Sequence, residues 1–105
     1  MEKSKNTNLI NFTIDLQEGF YDDNKVIIKV DKQNVYTGIP KTDLSLGVAT
    51  SFECNSNSEL IEINIIIKKF LKDINITKSI DLRKGKAIGI ASSGKITQAE
   101  SFIYE

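Results

Sequence analysis

The sequence predicts an all-β protein, an antiparallel β-sandwich of about seven or eight short strands. Three observations lead there. Ile61, Ile63, Ile65 and Ile67 recur every second residue, with Glu62, Asn64 and Lys68 in the opposite register. That period puts all four isoleucines on one face of an extended strand, whereas a helix would scatter them around its axis; β-branching favours the strand as well. The same alternation returns at intervals of roughly ten residues, separated by short turns. No stretch carries the apolar period of an amphipathic helix. The arrangement expected is immunoglobulin-like or prealbumin-like, with a jelly roll or small barrel as the alternative.

The elements follow in order. Residues 1–8 read as a flexible tail, and residues 9–105 as a single domain. Ile10, Phe12, Ile14 and Leu16 alternate with Asn11, Thr13, Asp15 and Gln17, a half-buried strand. Gly19 and Asp22-Asp23-Asn24 interrupt it as turn residues do. Val26, Ile28 and Val30 resume the inward set, but Ile27 points outward with Lys25, Lys29 and Asp31. Residues 31–34 form a tight turn into Val35-Tyr36-Thr37, which Gly38-Ile39-Pro40 closes. The single proline marks a crossing between sheets or a sheet edge. Leu44, Leu46, Val48, Phe52 and Cys54 share one register of a long strand, and a bend fits at the small outward residues Gly47, Ala49 and Ser51. Asn55-Ser56-Asn57-Ser58 is a polar turn into the isoleucine strand. That strand is expected to be central, because at an open edge it would recruit other chains.

Ile74, Ile76, Ile80 and Leu82 line the next strand, with Lys78 in their midst. An inward lysine guards a sheet edge; a bulge is the other explanation. Arg83-Lys84-Gly85 turns, Ile88 and Ile90 follow, and Ser92-Ser93-Gly94 leads to a last strand from Ile96 to Phe102. Gln98 and Glu100 interrupt its apolar register. Short connections favour antiparallel neighbours, so the second half is expected to be largely a meander. The expected core includes Ile14, Ile28, Leu46, Ile63, Ile65 and Ile88.

Leu16-Gln17-Glu18-Gly19-Phe20, Lys25 to Asp31, Val35-Tyr36 and Thr42-Asp43-Leu44-Ser45-Leu46 together resemble a family of short uncharacterised prokaryotic proteins with a β-sandwich fold. The resemblance spans roughly the folded chain and consists of strand and turn patterns. It implies a stand-alone domain and carries no activity. Where that family pattern has a glycine-containing turn after Asp31, this chain has Lys32-Gln33-Asn34.

Composition excludes several classes. The chain has 105 residues, 40% hydrophobic and 27% charged, a globular composition. Lys plus Arg is 14 and Asp plus Glu is 14, so the net charge is zero. A neutral chain lacks the electrostatic footprint of a nucleic-acid or anionic-membrane binder, and neutrality removes a barrier to self-association. Cys54 is the single cysteine, so no intrachain disulfide forms; this agrees with a reducing cytoplasm. No signal-peptide core and no apolar run of membrane-spanning length is present. Asn11-Phe12-Thr13 and Asn75-Ile76-Thr77 match the glycosylation acceptor pattern and are read as chance matches inside strands.

No motif carries catalysis. Gly89-Ile90-Ala91-Ser92-Ser93-Gly94-Lys95-Ile96 approaches a phosphate-binding P-loop, but Ile96 replaces the Mg²⁺-holding hydroxyl residue and no helix is expected after Lys95. A hairpin turn at Ser93-Gly94 is the better reading. Asp22-Asp23-Asn24, with Asp43, supplies too few convergent oxygens for Ca²⁺. Without histidine there is no zinc site and no usual general base, and Cys54 reads as a buried apolar residue. No catalytic residue, cofactor or metal is therefore expected, and the protein is read as not an enzyme.

Two functional expectations remain. The first is a cytoplasmic β-sandwich acting by protein–protein contact, including a homodimer built on Ile27, Leu60 and Ile66. These three break the alternation and project onto an otherwise polar face. The second is a binding module for a carbohydrate or other small ligand, using aromatics near turns: Tyr21, Tyr36 and Phe70.

Overall fold

A computed structural model describes residues 9–17, 25–40, 48–69 and 72–101 of the protein. Eight strands lie among these residues: β1 (Ile10–Gln17), β2 (Lys25–Val30), β3 (Gln33–Gly38), β4 (Val48–Ser56), β5 (Leu60–Lys68), β6 (Ile74–Asp81), β7 (Ala87–Ile90) and β8 (Ile96–Ala99). They form two four-stranded sheets, a first sheet in the order β4-β1-β7-β8 and a second in the order β3-β2-β5-β6. The β-sandwich expected from the alternation is present, and its core is where the two inward registers meet. Phe12, Ile14 and Leu16 of β1 and Ile88 and Ile90 of β7 face Val26 and Ile28 of β2 and the four isoleucines of β5. Ile14, Ile28, Ile63, Ile65 and Ile88 are fully buried as expected; Leu46 lies outside the described residues.

β5 is central, paired with β2 on one side and β6 on the other. Its ladder with β6 runs unbroken from Leu60↔Asp81 to Ile67↔Ile74. Lys78 therefore sits in the inward register without a bulge, exposed on the edge strand β6, which supports the edge-guarding explanation. β3 is the other edge of this sheet. Its pairing with β2 slips at Val35, between Ile28↔Tyr36 and Lys29↔Asn34. The extra residue lets Val35 and Tyr36, neighbours in sequence, both pack on the core.

The turn from β2 to β3 is the two-residue hairpin Asp31-Lys32, with φ of 50° and 72°. A turn positive at both central residues matches the twist of the strands, and glycine or asparagine is favoured there. Asp31 anchors the tip by bonding across to β5: its N–H donates to the Glu62 carbonyl (2.8 Å), and its Oδ1 accepts from the Glu62 N–H (2.9 Å).

Three expectations are corrected. The second half is not a meander, since β4 to β5 and β6 to β7 both change sheets, leaving β5-β6 and β7-β8 as its hairpins. A short turn fits a crossing between layers as well as a hairpin, so length alone does not choose. The proline-marked connection after β3 also changes sheets, as expected. The turn before β5 is shifted: β4 continues to Ser56, because Asn55 and Ser56 extend its ladder with β1, and Ser58 closes the turn through bonds to the Ser56 hydroxyl. Finally, β8 ends at Ala99, short of the expected run to residue 102.

The first sheet contains one parallel ladder, β1 with β7, from Thr13↔Ala87 to Leu16↔Ile90; its other ladders are antiparallel. The crossing that delivers β7 to this position runs through a 3₁₀ turn, Leu82–Lys84, capped by Asp81. Gln98 locks it, donating from Nε2 to the Asp81 carbonyl (2.7 Å) and the Gly85 carbonyl (2.8 Å). The polar residue that spoiled the apolar register of β8 is thus a latch between β8 and the crossing. Gly85 allows the approach: a Cβ there would stand 2.5 Å from the Ala99 carbonyl oxygen.

Candidate functional site

Two surfaces carry the residues of interest. The first is the outer face of the second sheet. Ile27 and Ile66 are directly opposite each other across β2 and β5. The row they form continues to Thr37 on β3 and Asn75 on β6. The expected meeting of the two isoleucines on the solvent face therefore occurs, and both are half-buried. Lys25 and Lys68 face each other at one end of this pair, and Lys29 and Asn64 at the other. Asn64 is held rigidly, its Nδ2 lying 2.8 Å from Asn75 Oδ1 and 3.0 Å from Thr77 Oγ1. Lys68 Nζ lies 3.8 Å from Asp73, an exposed pair. Leu60 projects on the same face but six residues along β5 from Ile66, about 20 Å away at strand rise. It is 61% exposed, beside Asp81, Arg83 and Glu59. The structure thus joins two of the three expected contact residues and separates the third.

The second surface is a cleft of about 640 Å³ between the edge strands β3 and β4. β3 and β4 lie over one another in the two layers, as the stacked rings of Tyr36 and Phe52 record, with centroids 5.3 Å apart and planes at 12°. Leu9, Val30, Val35 and Cys54 give the cleft apolar walls; Asp31, Gln33, Glu53 and the Asn55–Ser58 segment form a polar rim. Tyr36 is the one aromatic of the ligand-binding expectation among the described residues; Tyr21 and Phe70 lie outside them. Burial pushes the Tyr36 phenol above its usual pKa. Cys54 is half-buried rather than buried, because β4 is an edge strand and its inward side opens to the cleft. Burial raises its thiol as well, which favours the thiol over the nucleophilic thiolate.

A shallower trough of about 430 Å³ crosses the outer face of the first sheet, lined by Thr13, Asp15, Ser51, Glu53, Lys86 and Glu100 among others. Asp15 is only 7% exposed and accepts a 2.6 Å hydrogen bond from the Ser51 hydroxyl on the paired position of β4.

The segment resembling a P-loop is the β7-β8 hairpin. Gly94 has φ of 92°, its N–H donates to the Ala91 carbonyl, and the Ala91 N–H donates to the Lys95 carbonyl. An antiparallel strand follows Lys95 where a phosphate site requires a helix N-terminus. Both glycosylation-pattern asparagines lie within strands, Asn11 in β1 and Asn75 in β6, and Asn75 is engaged by Asn64. The acidic cluster at residues 22–24 and Asp43 lie outside the described residues. Among the described residues, no group of three or more His, Cys, Asp or Glu is placed to hold a metal ion, and no helix is long and apolar enough to cross a membrane.

The sequence reading found Ile27 and Ile66 from their broken alternation. It missed Phe52 as the ring that stacks on Tyr36, and the only available signal was their shared inward register in successive strands. Compared with known proteins, the chain matches no protein-family model, no curated protein and no solved structure at a significant level.

Proposed function

We infer that the protein is a non-catalytic, cytoplasmic contact domain that self-associates through the outer face of its second sheet. The observation that carries this reading is the side-by-side placement of Ile27 and Ile66 on a largely polar face, with Leu60 far along the same strand. Burying a side chain of this kind stabilises by roughly 1.5–3 kcal/mol when it goes fully from water to an interior. A symmetric dimer with its axis near this pair covers four isoleucines at once, two from each copy. Lys25, Lys29 and Lys68 border the contact, so the dimer is expected to tighten as salt screens lysine from lysine. Leu60 stands outside this contact. Sedimentation at micromolar concentration should show the dimer, and Ile66→Lys should leave a folded monomer. A wild-type chain still monomeric at about 100 μM, a dissociation free energy of about 5–6 kcal/mol, overturns the reading.

A second reading is favoured by the cleft between β3 and β4, walled by Leu9, Val30, Val35 and Cys54: a binding site for a carbohydrate or other small ligand, with the neighbouring Tyr36 as its candidate aromatic. Here Tyr36→Leu should abolish binding in a ligand-observed NMR screen of monosaccharides while leaving dimerisation unchanged.

A further inference from the structure

The four sheet edges are unequal. An edge strand presents unpaired N–H and C=O groups, and proteins blunt it with bulges, inward charges or short length. β3 carries the bulge at Val35. β6 carries the inward-register Lys78. β8 is four residues long. β4 is nine residues long, and beyond the register shift opposite Leu16 and Gln17 its ladder with β1 is regular from Thr50 to Ser56. Among the described residues β4 pairs with β1 alone. Its stretch from Thr50 to Ser56 contains no proline and no lysine; Glu53 is its one charge and points outward.

Both flanks of this edge are hollow. On the inward side is the cleft walled by Leu9, Val30, Val35 and Cys54, with Leu9 42% exposed. On the outward side Glu53 stands at the near end of the trough, whose lining continues past Asp15 and Lys86 to Glu100 beyond β8. A strand laid beside β4 directs successive side chains alternately to these two sides. Main-chain bonds then give affinity, and the flanking hollows select the side chains.

We propose that the Thr50–Ser56 edge of β4 receives an extended strand from a protein partner, one that alternates apolar side chains, turned into the cleft, with Lys or Arg side chains, turned toward Glu53. Charge chooses this occupant over a second copy of the chain. Two β4 strands paired antiparallel about Phe52 bring both copies of Glu53 onto one face at diagonal spacing, where like charges oppose pairing. The surface differs from the Ile27–Ile66 face, so peptide binding and dimerisation succeed or fail separately.

The probe is an acetylated, amidated octapeptide alternating valine and lysine, added to the full ¹⁵N-labelled chain. A peptide of four valines followed by four lysines controls for charge and composition, and a valine–glutamate alternation controls for sign. The expected result is saturable binding of the valine–lysine alternation, with amide shifts concentrated on residues 50–56. Both control peptides should bind at least tenfold more weakly, and Glu53→Lys, an exposed position, should weaken the valine–lysine peptide at least tenfold. Absence of saturable binding up to about 1 mM, a free energy of only about 4 kcal/mol, overturns the proposal. So do shifts centred on β3, β6 or β8, or equal binding of the controls or of the Glu53→Lys chain.

Discussion

The two sheets bury their residues by different rules. In β5 of the second sheet the burial alternates, with Ile61, Ile63, Ile65 and Ile67 buried and Leu60, Glu62 and Lys68 exposed. In β7 of the first sheet all four residues are buried, Ala87 and Gly89 as well as Ile88 and Ile90. The second sheet is held by large side chains on one face, and its other face meets water. The first has a central strand enclosed on both faces, one parallel ladder, and small residues where the backbone is approached. The second sheet takes its stability from apolar burial. The first sheet also needs polar groups placed to satisfy backbone at the crossings.

The largest effect should come from the isoleucine strand. Ile65 is fully buried between β2 and β6, and Ile65→Ala should cost about 2–5 kcal/mol in denaturant melts through lost transfer energy and the cavity left behind. A loss below about 0.5 kcal/mol would erase the contrast by showing that the second sheet does not depend on this register. The first sheet is tested next, at its latch. Gln98→Ala removes the donor from the Asp81 and Gly85 carbonyls and should cost about 1–3 kcal/mol, the range for partly buried acceptors left unmatched. Hydrogen exchange should speed up at the 3₁₀ crossing and β8 before it does in β5.

A smaller effect of opposite sign is expected at the Asp31-Lys32 hairpin. Lys32 holds φ of 72°, and Lys32→Gly relieves left-handed backbone strain at the expense of a more flexible unfolded chain. A net gain of about 0.5–1 kcal/mol in unfolding free energy, read as a raised denaturation midpoint, is expected. A loss would mean that the lysine side chain contributes more than its backbone costs.

The smallest effect is electrostatic. Bonds from Arg83, both side chain and backbone N–H, pull the Asp81 carboxyl down to about 2. A lowered folded value means that the pair favours the folded state above the ordinary carboxylate value of about 3.9, and that this contribution disappears as pH falls toward 2. The pair is exposed, so its effect on stability should be slight. NMR titration should find Asp81 near 2 in the wild type and raised toward the ordinary range in Arg83→Ala, which removes the side-chain bonds and keeps the backbone one.

The sequence alone was enough for the class of fold and for the inward register of β1, β2 and β5. A two-residue period ties each side chain to a face, and burying the wrong face would put Glu62 and Lys68 inside. It was enough also for the outward isoleucines at 27 and 66, since breaks in a period are as local as the period itself, whereas Lys78 as an edge guard and not a bulge was settled by the unbroken β5-β6 ladder. Which strands became neighbours was decided by the tertiary structure. The parallel β1-β7 ladder, the layer changes after β4 and β6, the stack of Tyr36 on Phe52 and the grip of Gln98 on the Asp81 and Gly85 carbonyls all join residues distant in sequence. Alternation says which way a side chain points and nothing about what it will meet, because the partner is fixed only when two sheets close over one core.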